Sequence, residues 1–320
     1  MPRDAAWYVA EAAREAQEMA AGTPQGYGLG FKTFDHFFRI KDGQVLVLAG
    51  RPAMGKTSLA LQIAHNMCRQ LTPHSKEKIV FYSAEMSGTQ LFQKLASNLS
   101  GVNLQAGYAG RWTSADSAEY NRVLNSLSRM PMLVSDLNIV KTDNIRSNLD
   151  DVVTAGVVPA AVFLDYIELA ADEDHTRQEH TRIAQIMQKL KQIAMHYQIP
   201  VIALSQVNRM TESESSKIPY LSNLAGSDTV ARMADKVLTL MRPGYYIKNG
   251  QQAACELASD AQDTCYVSIQ KDRFGRAGQT FRLRVDETTY RFTDFDPPRD
   301  PSRVVMNLKA RKPSELGDMK

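Results

Sequence analysis

The residues Gly50-Arg51-Pro52-Ala53-Met54-Gly55-Lys56-Thr57 follow directly on the apolar run Val45-Leu46-Val47-Leu48-Ala49 and lead into a helix-patterned stretch over 57–71. A G-x-x-x-x-G-K-T string between a buried strand and a helix leaves few folds open, because it is the phosphate-cradling turn of an α/β nucleotide-binding sheet. Gly50 and Gly55 let the backbone curl until successive N–H groups face one concavity, and the following helix adds the positive end of its dipole. Polyphosphate is the ligand that suits this chemistry. Lys56 reaches the β- and γ-phosphates as a point charge, the Thr57 hydroxyl takes one position on Mg²⁺, and the cradle closes with Ser58. The competing reading is a glycine-bearing strand-to-helix turn that holds nothing.

At 320 residues and 43% hydrophobic content the chain is long enough for one large α/β domain with appendages. A net charge of +3 neither supports nor excludes nucleic acid, since a channel can be basic while the total stays balanced. The three cysteines, Cys68, Cys255 and Cys265, have no C-x-x-C spacing, so neither a disulfide framework nor a zinc site is expected. The N-terminus has no apolar leader and no long apolar run follows, which reads as a cytoplasmic protein without a membrane partner.

Residues 4–21 carry helix start and stop signals and form an arm with a narrow apolar stripe (Trp7, Val9, Ala10, Ala13, Ala16, Ala20), set off by Gly22-Thr23-Pro24. Gly26 to Gly43 is an apolar lead-in whose Phe31, Phe34, Phe37, Phe38 and Ile40 should cover the edge of the core. Strands are expected at 78–83, 132–134, 160–165, 199–206, 234–240, 265–270 and 279–285, with a capping box, Ser87 to Gln90, opening a helix. Helices are expected within 101–130, near 142–155 and beyond 182. Several strands end in polar residues: Glu85 just after one, Asp165 at the end of another, Ser205-Gln206 at a third. In open α/β sheets ligands collect at that edge. An apolar strand that delivers one acid, Asp165, reads as a Mg²⁺-supporting carboxylate, and Gln206 as a group that can hydrogen-bond a γ-phosphate or its attacking water. His175 and His180 miss the spacing of a metal pair and read as solvated. Three segments follow: an arm over 1–25, one domain over 26–295, and a polar tail over 296–320 expected to be disordered.

Taken in order, AGRPAMGKT at 49–57, SAEMS at 83–87, FLDYIEL at 163–169, IPVIALSQVNR at 199–209 and QKDRFGRAG at 270–278 resemble the ATPase domain of DnaB-type replicative helicases. The resemblance runs from about Gly26 to Phe292. It implies a RecA-like fold: a mostly parallel sheet flanked by helices, with a C-terminal β-hairpin and an N-terminal helical arm. It also implies ATP and Mg²⁺ as cofactors, Glu85 as the general base that orients water, and Gln206 as γ-phosphate sensor. Lys271 and Arg273 would be the finger pair that reaches a neighbouring subunit's nucleotide in a homo-oligomer, as a hexameric ring. An arginine so placed is worth about 10³–10⁵ in rate in other NTPases, so an isolated chain should turn over poorly. Taken alone, Glu85 reads equally as a charge at a helix start, and Lys271 and Arg273 as hairpin surface charges.

Two departures from the family pattern stand out. Where the family carries a primase-binding N-terminal domain, only the arm precedes the ATPase core, in the place of a linker helix that docks on the next subunit. Where its channel loop reads L-R-E-S-G against single-stranded DNA, this chain has Leu224-Ala225-Gly226-Ser227-Asp228, with no cation and an acid in the last position. Phosphate contacts need positive side chains or backbone N–H groups, so this loop either contacts DNA through its N–H groups or has lost part of that role. Arg209 and Lys217 just upstream are candidate substitutes. The leading expectation is an ATP-dependent, ring-forming helicase on single-stranded DNA, with a loader or primase as further partner. A DNA-stimulated ATPase that remodels or loads other proteins, or a binding module that uses ATP only to assemble, are the alternatives.

Overall fold

The computed structural model describes residues 4–136, 142–170, 179–208, 217–224, 226–250 and 261–295. Arg209, Ala225, Cys255, the stretch 171–178 with His175, the side chains of His180 and Ser227, and the tail from 296 onward lie outside the described residues.

Helix α1 (Ala5–Ala20) is capped by Asp4, whose carboxylate accepts from the Trp7 N–H at 2.9 Å. It has no buried residue, and Trp7, Tyr8, Val9 and Met19 are exposed, so its apolar stripe finds no cover among the described residues. The lead-in folds into a small antiparallel pair, β1 (Tyr27–Gly28) and β2 (Arg39–Ile40), around the helical turn α2 (Lys32–Asp35). Phe31, Phe34, Phe38 and Ile40 are buried as expected, whereas Phe37 is exposed. A one-turn helix can present only one face to the core, and Phe37 falls off that face.

The central sheet begins with β3 (Val45–Gly50), and α3 (Lys56–Cys68) crosses to β4 (Glu77–Ser83). Three helices follow, α4 (Gly88–Ser100), α5 (Leu104–Tyr108) and α6 (Ser114–Leu127), leading to β5 (Met132–Ser135). The Ser87–Gln90 capping box forms as the sequence predicts. Then come α7 (Thr142–Thr154), β6 (Val158–Asp165), α8 (Glu179–Tyr197) and β7 (Val201–Gln206). The last part is α9 (Ser227–Met233), β8 (Lys236–Met241), α10 (Pro243–Lys248), β9 (Thr264–Asp272), β10 (Thr280–Val285) and β11 (Phe292–Asp294). The segment between the expected strands at 234–240 and 265–270 contains a short helix, which Pro243 starts at a position where its missing N–H costs nothing.

Nine strands pair in the order β11-β10-β9-β8-β3-β7-β6-β4-β5. From β8 to β5 all pairs are parallel, and β9, β10 and β11 add on antiparallel. Strands of the parallel part are apolar on both faces, as burial under helices on both sides requires. Leu46, Leu48, Phe81, Phe163, Ile202 and Leu204 pack on one face with α3, α4 and the lead-in. Val45, Val47, Val80, Val162, Leu164 and Val201 pack on the other, beneath α7 and α8. No helix among the described residues is long and apolar enough to cross a membrane.

One buried acid ties β3, β8, α8 and the end of β9 together. Asp235, just before β8, accepts from the Val45 N–H at 2.8 Å and from Lys191 Nζ on α8 at 2.6 Å, and its other oxygen meets Arg273 at 3.2 Å. Asp235→Ala leaves the Val45 N–H buried and unpaired and should lower stability by about 2–4 kcal/mol, read from the urea midpoint. An unchanged midpoint would contradict this account of the β3–β8 edge.

Candidate functional site

The register of the sheet, more than any single residue, assembles the site. β3 and β7 align Ala49 with Ser205 and Gly50 with Gln206. β6 lies beyond β7 and pairs with β4 so that Asp165 stands opposite Ser83. The strand that ends in the glycine turn, the strand that ends in Gln206 and the strand that ends in Asp165 therefore deliver their polar ends to one edge.

The turn itself is a backbone cradle. Ala53 and Gly55 adopt left-handed φ values of 63° and 88°. A Cβ on Gly55 would lie 2.8 Å from the Tyr290 ring, so glycine is required there by conformation and by space. Arg51 donates to the Val207 carbonyl at 3.0 Å, and Met54 is fully buried, which fastens the turn to the core on both sides of the exposed Pro52 and Ala53. Ser58, one turn into α3, is buried. Lys56 curls back on the turn, donating to the Gly50 and Arg51 carbonyls at 2.8 and 3.1 Å. Burial lowers its pKa to about 8, against the pull of Glu168, Asp165 and Glu85.

The acids differ in their surroundings. Asp165 is 1% exposed, and burial pushes its pKa up to about 6, opposed by a hydrogen bond from the Thr57 hydroxyl and reinforced by the charge of Glu85. Its Oδ2 is buried with no hydrogen-bond partner. A hydroxyl beside a carboxylate with one unused buried oxygen is a donor set that fits a hard divalent cation. Glu85 is exposed on the turn between β4 and α4, and its charge acts on Lys56 and Asp165. Gln206 is half-buried, and its side chain interacts with the Tyr166 hydroxyl. Glu85, Asp165, Lys56, Thr57 and Gln206 are thus brought together.

Lys271 and Arg273 are not part of this cluster. The β8–β9 register sets Lys271 opposite Val237 and Asp272 opposite Lys236, which itself pairs with Leu46 at the start of β3. Four residues of strand, about 13 Å, separate that level from Gly50. On their own chain the two cations hold the C-terminal end of α9. Lys271 donates to the Ala231 and Ala234 carbonyls, and Arg273 to the Arg232 carbonyl at 3.0 Å and to Asp235.

Three residues that the sequence reading did not single out join the site. Arg242 stacks its guanidinium 4.7 Å from the Tyr290 ring centre, and both donate to the Ala53 carbonyl, at 3.4 and 3.5 Å. Glu168, on the 3₁₀ turn after β6, accepts from Ser205 Oγ at 2.7 Å and the Gln206 N–H at 2.8 Å. Glu168 stood inside a motif and could have been found as an acid one turn past Asp165. Arg242 and Tyr290 lie too far along the chain for any local pattern to join them to Ala53.

The loop read as the DNA contact is only partly described. Leu224 is buried and bridges Val207, and Gly226 packs against Ile183 on α8 with φ 64°. Lys217 does not stand on the surface as a substitute cation would. It is 9% exposed, with its ammonium 5.9 Å from the centre of the Tyr246 ring, because Ile218 and Pro219 beside it turn into the core.

Residues 26–294 match the model of the family described as DnaB-like helicase C terminal domain. The chain is 31% identical over 274 residues to a probable replicative DNA helicase of Trieres chinensis, covering 84% of this chain and 57% of that protein. It is 31% identical over 280 residues to the replicative DNA helicase DnaB of Rickettsia bellii (strain RML369-C), covering 81% of this chain and 55% of that one. Among solved structures, one described as an ATPase domain superposes with a TM-score of 0.81 at 25% identity, covering 92% of this chain and all of that chain. A DnaB-like replicative helicase, described with its interactions with primase, superposes with a TM-score of 0.79 at 26% identity, covering 92% of this chain and 68% of that chain. The chain spans about half the length of the curated relatives it matches.

A charged Lys56 attracts phosphate, and in the free protein this lysine loses its proton as pH rises through about 8. Bound phosphates raise its pKa again, so binding is fully favoured below about pH 8 and takes up a proton above it. Affinity for a nucleoside triphosphate should therefore fall between pH 7 and pH 9, by up to about tenfold per unit above the free pKa. Calorimetry in buffers of different ionisation enthalpy reads both effects; a pH-independent affinity without proton uptake would contradict this account of Lys56.

Proposed function

The chain belongs to the DnaB-like helicase C-terminal domain family, and from that premise we propose that it is the ATP-hydrolysing motor of a ring-forming helicase that translocates on single-stranded DNA in the cytoplasm. The observation that carries the reading is the division of the sheet into two edges. The P-loop, Asp165 and Gln206 share one, and Lys271 with Arg273 share the other. A phosphate site and a cation pair that cannot meet within one chain meet when copies associate head to tail, which is the heterologous contact that closes a ring. A hexamer is the ring we propose, with residues 26–295 as its motor domain and 1–25 as its linker arm.

The P-loop N–H groups from Gly50 to Ser58 and the Lys56 ammonium would bind the triphosphate. Lys56 would exchange the Gly50 and Arg51 carbonyls for β- and γ-phosphate oxygens. Thr57 and Asp165 would hold Mg²⁺, which when bound neutralises charge on the phosphate oxygens. Glu85, exposed at the mouth of the site, would orient the attacking water and accept its proton. Gln206 would hydrogen-bond the γ-phosphate. The neighbour's Lys271 and Arg273 would stabilise the charge of the transferred group, after leaving their carbonyl partners at α9.

Coupling to DNA has a short path. Gln206 is followed by Val207, which is gripped by Arg51 and bridged to Leu224, where the proposed DNA loop begins. A change at the γ-phosphate thus reaches the loop through two paired residues. With Lys217 buried, the DNA contacts we propose come from backbone N–H groups of Gly226 and Ser227, with Ala225 and Arg209 as further candidates from the sequence. The relatives' names tie them to replication, and one structural relative is described with primase; a primase or loader is accordingly the partner we propose.

The burial of Lys217 also favours a second reading, a ring that assembles with ATP and binds or loads partners without unwinding. Forked-DNA unwinding with ATP and Mg²⁺ separates the two. The motor reading expects strand separation that Lys56→Ala abolishes and an ATPase rate that single-stranded DNA raises. Rings that form with ATP but neither unwind nor respond to DNA would overturn it.

A further inference from the structure

Glu168 is a buried acid that the ATPase chemistry proposed above does not use. Its backbone is fixed from α8, where Arg182 donates to the Glu168 carbonyl at 2.9 Å and to the Ala170 carbonyl at 3.1 Å. Its side chain crosses to β7, where Oε1 takes both the Ser205 hydroxyl at 2.7 Å and the Gln206 N–H at 2.8 Å. Oε2 is buried with no hydrogen-bond partner.

Two features separate this carboxylate from a structural acid that happens to be buried. Its partners are the last two residues of the strand that pairs Gly50 with Gln206, so it holds the segment that faces the first P-loop glycine. Its charge is also the largest carboxylate influence on Lys56, ahead of Asp165 and Glu85. One side chain therefore touches the backbone of the γ-phosphate sensor and balances the lysine that meets the same phosphate. It is unsuited to be the base: Oε1 is occupied by two donors and Oε2 is closed off from water, whereas Glu85 is exposed.

We propose that Glu168 is a positioning residue, which fixes the Ser205-Gln206 end of β7 beside the P-loop so that the Gln206 amide meets the transferred phosphoryl group. The proposal rests on the ATPase reading. Without Glu168 the Gln206 N–H loses its acceptor, and the strand end is free to shift against the P-loop by the fraction of an ångström that orientation at a reacting centre cannot tolerate. Nucleotide would still bind, because the cradle and Lys56 are built from β3 and α3.

The experiment is steady-state ATP hydrolysis by rings of matched size. Glu168→Ala should lower kcat by about 10- to 100-fold while KM for ATP moves less than about threefold, the signature of an interaction felt only as the reaction proceeds. Glu168→Gln, which keeps an oxygen for both donors, should restore most of that rate. Its KM should stay within about threefold of wild type, since losing a negative charge beside the phosphate site is opposed by the weaker hold of Lys56 on its proton. Ser205→Ala removes one donor and leaves the Gln206 N–H held, so its kcat should fall between wild type and Glu168→Ala. Should Glu168→Ala fail to assemble, the Gln and Ser205→Ala variants decide by the same values. Wild-type kcat in Glu168→Ala or in Ser205→Ala, a loss confined to KM, or a Gln variant as slow as Ala would overturn the proposal. The wild-type rate measured alongside distinguishes the two levels. Wild-type turnover with unaffected variants removes the role of Glu168 alone, whereas a wild type that does not hydrolyse ATP removes the ATPase reading and this inference with it.

Discussion

Parallel pairing of β3 with β7 on one side and β8 on the other is the constraint on which the rest depends. A parallel ladder fixes direction as well as register, so all the strand ends at Gly50, Gln206 and Asp165 must open on the same edge. β9 pairs antiparallel with β8, so its C-terminal end, with Lys271 and Arg273 at and just beyond it, must open on the other. No side-chain rearrangement within one chain can bring the two edges together. The proposed division of labour between subunits is thus written into strand direction, before any ligand is considered.

The electrostatics of the nucleotide edge follow from the same burial. A strand with apolar residues on both faces carries its terminal polar groups into a region with little water. Asp165 is accordingly pushed towards its neutral form and Lys56 towards its own. Desolvation that disfavours each charge separately makes the site responsive to the charges it lacks, since an arriving phosphate or divalent cation restores the ionised forms. Glu168, held by β7, favours the charged form of Lys56, while the same burial raises its own pKa against the hydrogen bonds from Ser205 and the Gln206 N–H. The cradle is further stiffened from behind by Tyr290 and Arg242, both hydrogen-bonded to Ala53.

Much of this was legible in the sequence because α/β strands announce themselves twice, by an apolar run and by the polar residue at its end. The G-x-x-x-x-G-K-T turn, Asp165 and Gln206 were placed that way, and the sheet puts them on one edge. Other features depend on contacts that no local period encodes. Lys217 looked like a surface cation in a polar stretch, and the structure buries it because its neighbours Ile218 and Pro219 turn inward. Phe37 shared the aromatic pattern of the lead-in, yet a single helical turn could not bury every member. The packing of Tyr290 on Gly55 joins residues from opposite ends of the domain, brought together where Gln62 on α3 exchanges hydrogen bonds with the Phe292 backbone.

Sharing of one nucleotide site between two copies is the central claim, and mixed rings test it most directly. Lys56→Ala removes the phosphate site of a chain and keeps its fingers; Arg273→Ala does the reverse. Each variant alone should hydrolyse ATP at background, with Arg273→Ala lower than wild type by about 10³-fold or more. Rings co-assembled from both contain interfaces with an intact P-loop from one chain and an intact finger from the other, so turnover should reappear on mixing. A mixture no more active than its parts, or an Arg273→Ala ring as fast as wild type, would contradict the account.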